Sequence, residues 1–286
     1  MVDQLLASLV DGCLIGLVYG LAAMGLTLIF GVVRVINLTH GAIIALAMFG
    51  LYYLVTIVGL NPYVALPFVA LGGLALGYVI YVVAVHRVIN APHLSSLLAT
   101  FAVNMMIIGT ATTLFTTSPY NVDVDLGRLT AGPVTLPVTR LVASVAALGV
   151  AAGLYLFLYR LGTGRAIRAV ANNRTAAELM GIHSSRVLAL SFGLGTMIAA
   201  AAGALIATLF PFTILSGGTY ELKSFVIVVL GGLGNPIGAL IGGLILGVLE
   251  GLVPVFMSAS WVPVIEFGLF VVILLARPSG LFGVRQ

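Results

Sequence analysis

Four stretches of this chain contain no Lys, Arg, Asp or Glu: Val35 to Val85, Val88 to Val122, Leu141 to Tyr159, and Val187 to Tyr220. Nothing else in the sequence limits the possible folds so sharply. A water-soluble chain of 286 residues needs about a quarter of its residues charged to solvate its surface. Here only 7% are charged and 61% are hydrophobic, with a mean hydropathy of +1.24. Lipid must cover what charge cannot. Each run is long enough for one or two spans of about 20 apolar residues. Only helices and closed barrels satisfy their own backbone groups in hydrocarbon. A barrel would show alternating segments of about ten residues. These runs are continuously apolar and rich in Leu, Ala, Gly and Val, which selects helices.

The runs predict spans near 4–33, 41–59, 62–86, 94–118, 138–160 and 187–210. The last third is more broken, with short segments near 223–233 and 237–252 and a span near 261–276. The expected fold is therefore all-α, a polytopic membrane helix bundle of about eight to nine transmembrane segments with broken or re-entrant helices. Basic residues in short loops mark the inner side. The segment from Arg160 to Arg186 holds five Arg and one acid, Glu178. It reads as inside, as do Arg87, Arg277 and Arg285. The stretch Pro119–Pro137, with Asp123, Asp125 and Arg128, reads as outside. Counting crossings places the N-terminus outside and the C-terminus inside. The first residues carry Asp3 and Asp11 and no basic residue, unlike a cleavable signal peptide. The single Cys13 excludes an intramolecular disulfide and a Cys-cluster metal site. The net charge of +4 follows from Arg residues at the ends of apolar runs, so it is no nucleic-acid footprint.

Glycines recur every fourth residue: Gly12, Gly16 and Gly20; Gly73 and Gly77; Gly234, Gly238 and Gly242; Gly243, Gly247 and Gly251. That spacing lines small residues on one helix face and lets helices approach closely in lipid. Helix packing, rather than ligand binding, is the expected role. Two places interrupt the apolar helices, Arg34-Val-Ile-Asn-Leu-Thr-His-Gly41 and Gly231-Gly-Leu-Gly-Asn-Pro-Ile-Gly238. Both precede a Gly-Ala-rich stretch, which suggests a short internal repeat. Broken helices mark transport pathways, because freed backbone is tolerated only where it is buried in protein or lines a cavity. If the first break lies in the membrane, Asn37, Thr39 and His40 offer donors and acceptors to a zwitterion or an amide. If it is a turn outside the membrane, they do not touch substrate. Asn104, in an otherwise apolar span, is a further pathway candidate. The second break, with Gly232, Gly234, Asn235, Pro236 and Gly238, reads more readily as a turn.

The sequence carries no catalytic set. Its one lysine, Lys223, follows no glycine-rich loop, so there is no P-loop. The four histidines are scattered without His-Glu-x-x-His, and Gly-x-Ser-x-Gly is missing. No metal site and no catalytic residue are expected. Asp11, Glu250 and Glu266 fall within or near apolar segments, where a charge costs about 2.5–3.5 kcal/mol. They read as three isolated acids with structural or interfacial roles, Glu250 at a helix end. A connected proton relay is not visible in their spacing.

The segment Gly162 to Arg186 is too polar to span. A helix from Gly164 to Met180, capped by Thr163 and ended by Gly181, would place Ile167, Val170, Ala171 and Arg174 on one side. Arg165, Arg168 and Asn172 would fall on another. A short helix between two spans is a docking element in form, or a connector held on anionic headgroups by its arginines.

At these residues the chain resembles the LivH-type permeases of branched-chain amino acid ABC importers. The resemblance runs through most of the chain, in four motifs. The first is Gly16-Leu-Val-Tyr-Gly-Leu-Ala-Ala-Met-Gly-Leu-Thr-Leu-Ile-Phe-Gly31 with Arg34 to Gly41. The second is Gly164-Arg-Ala-Ile-Arg-Ala-Val-Ala-Asn-Asn173 with Ala177-Glu-Leu-Met-Gly-Ile182. The third is Gly231-Gly-Leu-Gly-Asn-Pro-Ile-Gly-Ala-Leu-Ile-Gly-Gly243, and the last Arg277-Pro-Ser-Gly-Leu-Phe-Gly283. The resemblance implies that the chain, 1–286, is one ABC importer transmembrane domain, with a cytoplasmic coupling segment at 162–186. It implies ATPase coupling through Gly164, Arg165, Arg168, Ala169, Asn172, Ala177, Leu179, Gly181 and Ile182. The segment departs from the Glu-Ala-Ala-x-x-x-Gly loop of other ABC importers, as this family does.

The resemblance further implies a second related permease subunit of LivM type, two ATPase subunits and an extracytoplasmic solute-binding protein, in an inner (cytoplasmic) membrane of bacterial type. The chain itself would bind no cofactor, and ATP and magnesium would sit on the partner ATPases. It would contact lipid and no nucleic acid. Branched-chain amino acids lead as substrate, with urea or short-chain amides second. A self-contained secondary transporter is the alternative of another class, and it needs coupling-ion chemistry in its core.

Overall fold

In a computed structural model of the chain, residues 2–115, 117–131, 134–277 and 280–283 are described. The helices are α1 (Val2–Val33), α2 (His40–Thr56), α3 (Pro62–Ile80), α4 (His86–Val88), α5 (His93–Phe115), α6 (Val138–Arg160), α7 (Gly162–Asn172), α8 (Arg174–Leu179), α9 (Ser184–Ala207), α10 (Ser216–Gly231), α11 (Pro236–Phe256) and α12 (Val262–Ala276). A π-helical stretch, Tyr81–Val85, continues α3 into α4. Among the described residues seven helical segments are long and apolar enough to cross a membrane, and α2 is a shorter apolar helix. The polytopic helix bundle read from the apolar runs is therefore the fold. The sheet among the described residues is a small antiparallel pair of β1 (Arg128–Ala131) and β2 (Val134–Pro137) in the connection between α5 and α6.

Glycine sets the packing. α1 and α11 run antiparallel with their glycine faces in contact. A Cβ on Gly12, Gly16 or Gly247 would fall 2.5, 2.6 and 2.3 Å from a backbone carbonyl of the other helix. α3 repeats this against α9: the Thr196 hydroxyl bonds the Gly73 carbonyl at 2.9 Å, and Gly77 lies over the same threonine. α1 meets α9 at Gly25 and Gly195, each backed by the other's carbonyl. The fourfold glycine spacing thus serves helix packing, as expected.

These contacts show an inverted repeat. α1, α2, α3 and α5 correspond to α9, α10, α11 and α12, with each helix of the second set running opposite to its twin. α1–α11 answers α9–α3, α2–α9 answers α10–α1, and α2–α3 answers α10–α11. The two breaks noted in the sequence are not the repeat pair. The twin of the stretch before α2 is the stretch 208–215 before α10. The Gly231–Gly238 break is a turn that joins α10 to α11.

The arginines polarise the bundle. Arg34, Arg87, Arg160, Arg277 and all of α7 and α8 lie at the end where α1 finishes, while Arg128 and Arg140 lie at the other end. The start of α1 and the C-terminal segment at 280–283 sit on opposite sides, in agreement with the topology read from loop charge. The last motif, Arg277 to Gly283, folds back on the α10–α11 turn. Leu281 donates its N–H to the Leu230 carbonyl at 2.9 Å, and a Cβ on Gly232 would fall 2.5 Å from the Gly283 nitrogen. Pro278, Ser279 and Arg285 lie outside the described residues.

A side chain at a glycine contact must push two backbones apart. Gly16→Val is expected to cost at least about 1–3 kcal/mol, the range for overpacking, read as a lower melting temperature in detergent. Gly149, with nothing within 4 Å of its virtual Cβ, should accept Val with a change within about 0.5 kcal/mol. Equal melting temperatures for the two variants would refute the packing account.

Candidate functional site

Arg34 ends α1 in the left-handed region, at φ 58°. That geometry is disfavoured for a residue with a Cβ. It turns the chain back into the bundle instead of out of it. The Arg34 guanidinium donates to the Ala171 carbonyl of α7 at 3.4 Å, which marks the Arg-rich side. The backbone from 35 to 39 then re-enters the protein without helical structure, and a turn at Leu38 and Thr39 leads into α2. Its polar groups find partners there, as lipid supplies none. The Thr100 hydroxyl accepts from the Leu38 N–H at 3.3 Å and donates to the Ile36 carbonyl at 3.2 Å. The Asn37 side-chain oxygen accepts from the Thr39 N–H at 3.1 Å and from the Thr39 hydroxyl.

The first break therefore runs from the Arg-rich end into the bundle interior, and α2 starts there. Asn37, Thr39 and His40 are completely buried and Asn104 is 7% exposed. The Asn37 amide nitrogen, the Asn104 carbonyl and both His40 ring nitrogens lack a well-formed hydrogen bond, although the Ala22 carbonyl lies beside the imidazole. None of these residues lines a described cavity.

α10 mirrors this arrangement from the opposite side. The Tyr120 and Phe212 backbones exchange hydrogen bonds of 2.8 and 2.9 Å, and the stacked or edge-on rings of Phe49, Phe115, Tyr120 and Phe212 enclose them. The two short helices begin back to back. A Cβ on Gly41 would lie 2.4 Å from the Gly217 carbonyl, and one on Gly217 would lie 2.3 Å from the Gly41 carbonyl. Tyr220 approaches Tyr19 with ring centroids 6.0 Å apart. Tyr19 is near the centre of the 32-residue α1, so this crossing lies near mid-bilayer.

The acids are not isolated, which corrects the reading from the sequence. Lys223 of α10 lies 2.5 Å from Glu250 of α11 and 3.7 Å from Glu266 of α12. Its ammonium sits over the Tyr19 ring, 4.6 Å from the centroid, and the Tyr19 hydroxyl donates to Glu250 at 3.4 Å. Glu250 is inside α11, not at a helix end. Asp11 pairs with Arg140. The partners lie 27 residues or more apart in sequence, or on separate helices, so no local spacing shows them. Glu221 escaped notice for the same reason. It occupies the second turn of α10, and its carboxylate lies against Gly41 at the start of α2.

The polar segment departs from the single helix expected. It is two helices, α7 and α8, broken at Asn173, whose side chain caps α8 by accepting from the Ala176 N–H at 3.0 Å. Thr163 is not a cap, since α7 begins at Gly162 with Leu161 before it. Gly181 does end α8, at φ 82°. Ile167 and Val170 are buried as the amphipathic pattern required. Gly164 packs so closely on the end of α6 that a Cβ would fall 2.1 Å from the Phe157 carbonyl. Arg168 donates to the Leu158 carbonyl at 3.1 Å and stacks 4.3 Å over the Tyr159 ring. Arg165, Asn172 and Leu179 face outward, Ala169 and Ile182 are half-buried, and Ala177 is buried. Leu179 and Met180 are 84% and 83% exposed. The Ser184 hydroxyl and Arg174 hold the Glu178 carboxyl below the usual carboxylate range.

In the second break, Gly232 and Gly234 have φ 91° and 83°. Asn235 caps α11 by accepting from the Gly238 N–H at 3.1 Å, and Pro236 takes the first helical turn. A Cβ on Gly238 would meet the Gly231 carbonyl at 1.9 Å. A cavity of about 790 Å³ brings this turn together with the polar segment: Gly234, Asn235 and Pro236 line it with Arg168 and Asn172.

The family model of the branched-chain amino acid transport system, permease component, matches residues 8–274. The chain belongs to that family. It is 29% identical to the high-affinity branched-chain amino acid transport system permease protein BraD of Pseudomonas aeruginosa, over 97% of this chain and 95% of that protein. It is 28% identical to the corresponding LivH of Escherichia coli over the same shares. A probable branched-chain amino acid transport permease protein LivH of Methanocaldococcus jannaschii is 26% identical over 92% of this chain and 88% of its own. A permease of this family is a membrane subunit rather than an enzyme.

Lys223→Met removes the cation shared by Glu250 and Glu266. Leaving buried charge unpaired costs about 3–5 kcal/mol, so the variant should accumulate poorly in membranes and melt early. Adding Glu250→Gln and Glu266→Gln should recover most of the loss. A Lys223→Met protein as stable as wild type would show that the three groups do not depend on one another.

Proposed function

We propose that this chain is the membrane-spanning subunit of an ATP-driven importer for branched-chain amino acids, and that α7 and α8 couple it to separate ATPase subunits. One observation carries the coupling role: Leu179 and Met180 stand almost fully exposed at the tip of an otherwise anchored elbow. Gly164, Ile167, Val170 and Arg168 tie α7 to the bundle, so the elbow is rigid where it meets the spans. Its tip offers apolar side chains to a partner, and Gly181, in its left-handed turn, fixes their direction. Such a surface on the Arg-rich, cytoplasmic side fits a soluble ATPase. The ATP and magnesium belong to that partner.

The remaining assembly follows the family: a second related permease subunit, two ATPases and an external solute-binding protein, in the inner membrane. The cavity shared by α7 and the Gly231–Gly238 turn supports a route from the elbow into α10 and α11. The substrate path would run past the mid-bilayer crossing of α2 and α10. Asn37, Thr39, His40 and Asn104 are sealed in this conformation, so contact with substrate requires the two short helices to part.

Reconstituted with its partners in proteoliposomes, the complex should take up leucine, isoleucine and valine with ATP hydrolysis, and not urea or acetamide. Leu179→Asp with Met180→Asp should lower leucine-stimulated uptake at least tenfold while the permease stays in the membrane. Arg168→Glu and Gly181→Trp should also uncouple hydrolysis from uptake, because each disturbs the elbow's anchor or its turn. Normal uptake by all three variants would sink the coupling assignment, and uptake of urea alone would replace the substrate.

A further inference from the structure

We propose that Glu221 recognises the primary ammonium group of a zwitterionic amino acid moving along the open face of α10; the proposal rests on the importer reading above.

The inverted repeat supplies the first argument. A Cβ on Gly41 would fall 2.7 Å from the Glu221 Cβ, and one on Gly217 would fall 3.1 Å from the Ala45 Cβ. Glu221 and Ala45 are therefore twins across the crossing. Alanine does all that packing requires at this position. The carboxylate in the second repeat is an addition to the packing, placed near mid-bilayer where a charge is costly.

Its partners supply the second. Its Oε2 lies against the first turn of α2 at Gly41, which leaves other acceptor positions of the carboxylate open. The neighbouring cation is committed elsewhere: Lys223 pairs with Glu250 and Glu266. Among the described residues Glu221 takes part in no ion pair. His40, next to Gly41, is fully buried with neither ring nitrogen well bonded, so the crossing holds further polar capacity without a partner.

The surface supplies the third. α10 exposes Leu215, Gly218, Thr219 and Leu222 in one stripe, with half-buried Glu221 at its edge. The twin positions on α2 are closed: Ala42 and Ile43 are 2% and 1% exposed. A half-buried carboxylate at the edge of an exposed face is poorly suited to hydrocarbon and well suited to a water-filled path. An ammonium group has three donors and a full charge, and it matches a carboxylate with a free lone pair. Urea and simple amides have no charge to offer, so the same site would select amino acids over them.

The test places a thiol beside Glu221. Gly218→Cys, one turn before Glu221 on the exposed side of α10 and with nothing within 4 Å of its virtual Cβ, is made in a Cys13→Ser background, which removes the chain's one cysteine. The assembled complex in membranes is treated with a cationic methanethiosulfonate (ethylammonium) and an anionic one (ethylsulfonate). The cationic reagent should react at least tenfold faster, and adding Glu221→Gln should erase the difference. Excess leucine should slow the reaction, and 4-methylpentanoate, which has the same carbon chain without the amine, should not. No labelling by either reagent, or equal rates with Glu221 in place, overturns the proposal. Equal slowing by both compounds overturns the ammonium assignment. The rate ratio is read within one protein and needs no ATP, so it stands apart from the importer reading, which fails separately if the wild-type complex shows no ATP-driven uptake.

Discussion

The architecture depends on the contact between Gly41 and Gly217. Two short helices, entering from opposite sides, place their first turns against each other with no side chain between them. Both are preceded by non-helical backbone inside the bundle, and in a membrane unpaired N–H and C=O groups cost several kcal/mol each. Protein must provide what water cannot. The Thr100 hydroxyl does so on one side and the Tyr120 backbone on the other. The remaining helices keep the crossing closed: α1 against α11 and α3 against α9 form two glycine-faced pairs that hold it like the jaws of a clamp.

How much of this could be read from the chain depends on the range of each interaction. Uncharged runs and four-residue glycine spacing are local signals, and the spans and their close faces followed from them. The buried face of α7 was equally legible, since Ile167 and Val170 share a helical stripe. The breaks were legible only as interruptions. Whether Arg34 to Gly41 turned outward or inward depended on Thr100, 60 residues away on another helix, and on a left-handed Arg34. The repeat was misread because its true partner, 208–215, has no resemblance in sequence to 34–39. The charges were misread for the same reason: Glu250 and Glu266 look isolated until Lys223 is brought between them.

The position of that charged group has a physical consequence for movement. A lysine shared by acids on two other helices binds α10 to α11 and α12 as one body. Its α2 twin carries no such ties, because Ala47 stands where Lys223 stands on α10. The two halves of the repeat are therefore alike in path and unlike in stiffness. α2 is held at its start by one threonine hydroxyl, by an asparagine turn, and by the packing of Glu221 against Gly41.

The elbow at the other end of the molecule connects to this asymmetry. Arg34 joins the end of α1 to α7 through the Ala171 carbonyl, and it is also the residue that turns the chain toward α2. On the other half, Asn235 caps α11 and donates to the Phe282 carbonyl of the C-terminal segment at 3.2 Å, with α7 across the same cavity. A displacement of α7 thus acts on both re-entrant halves, but not equally. It would pull on α2 through the left-handed Arg34 and a short non-helical segment, whereas it would meet α10 through a turn backed by packed glycines and a braced charge cluster. Of the two helices that close the mid-bilayer crossing, α2 is the one whose connection to the elbow can yield first.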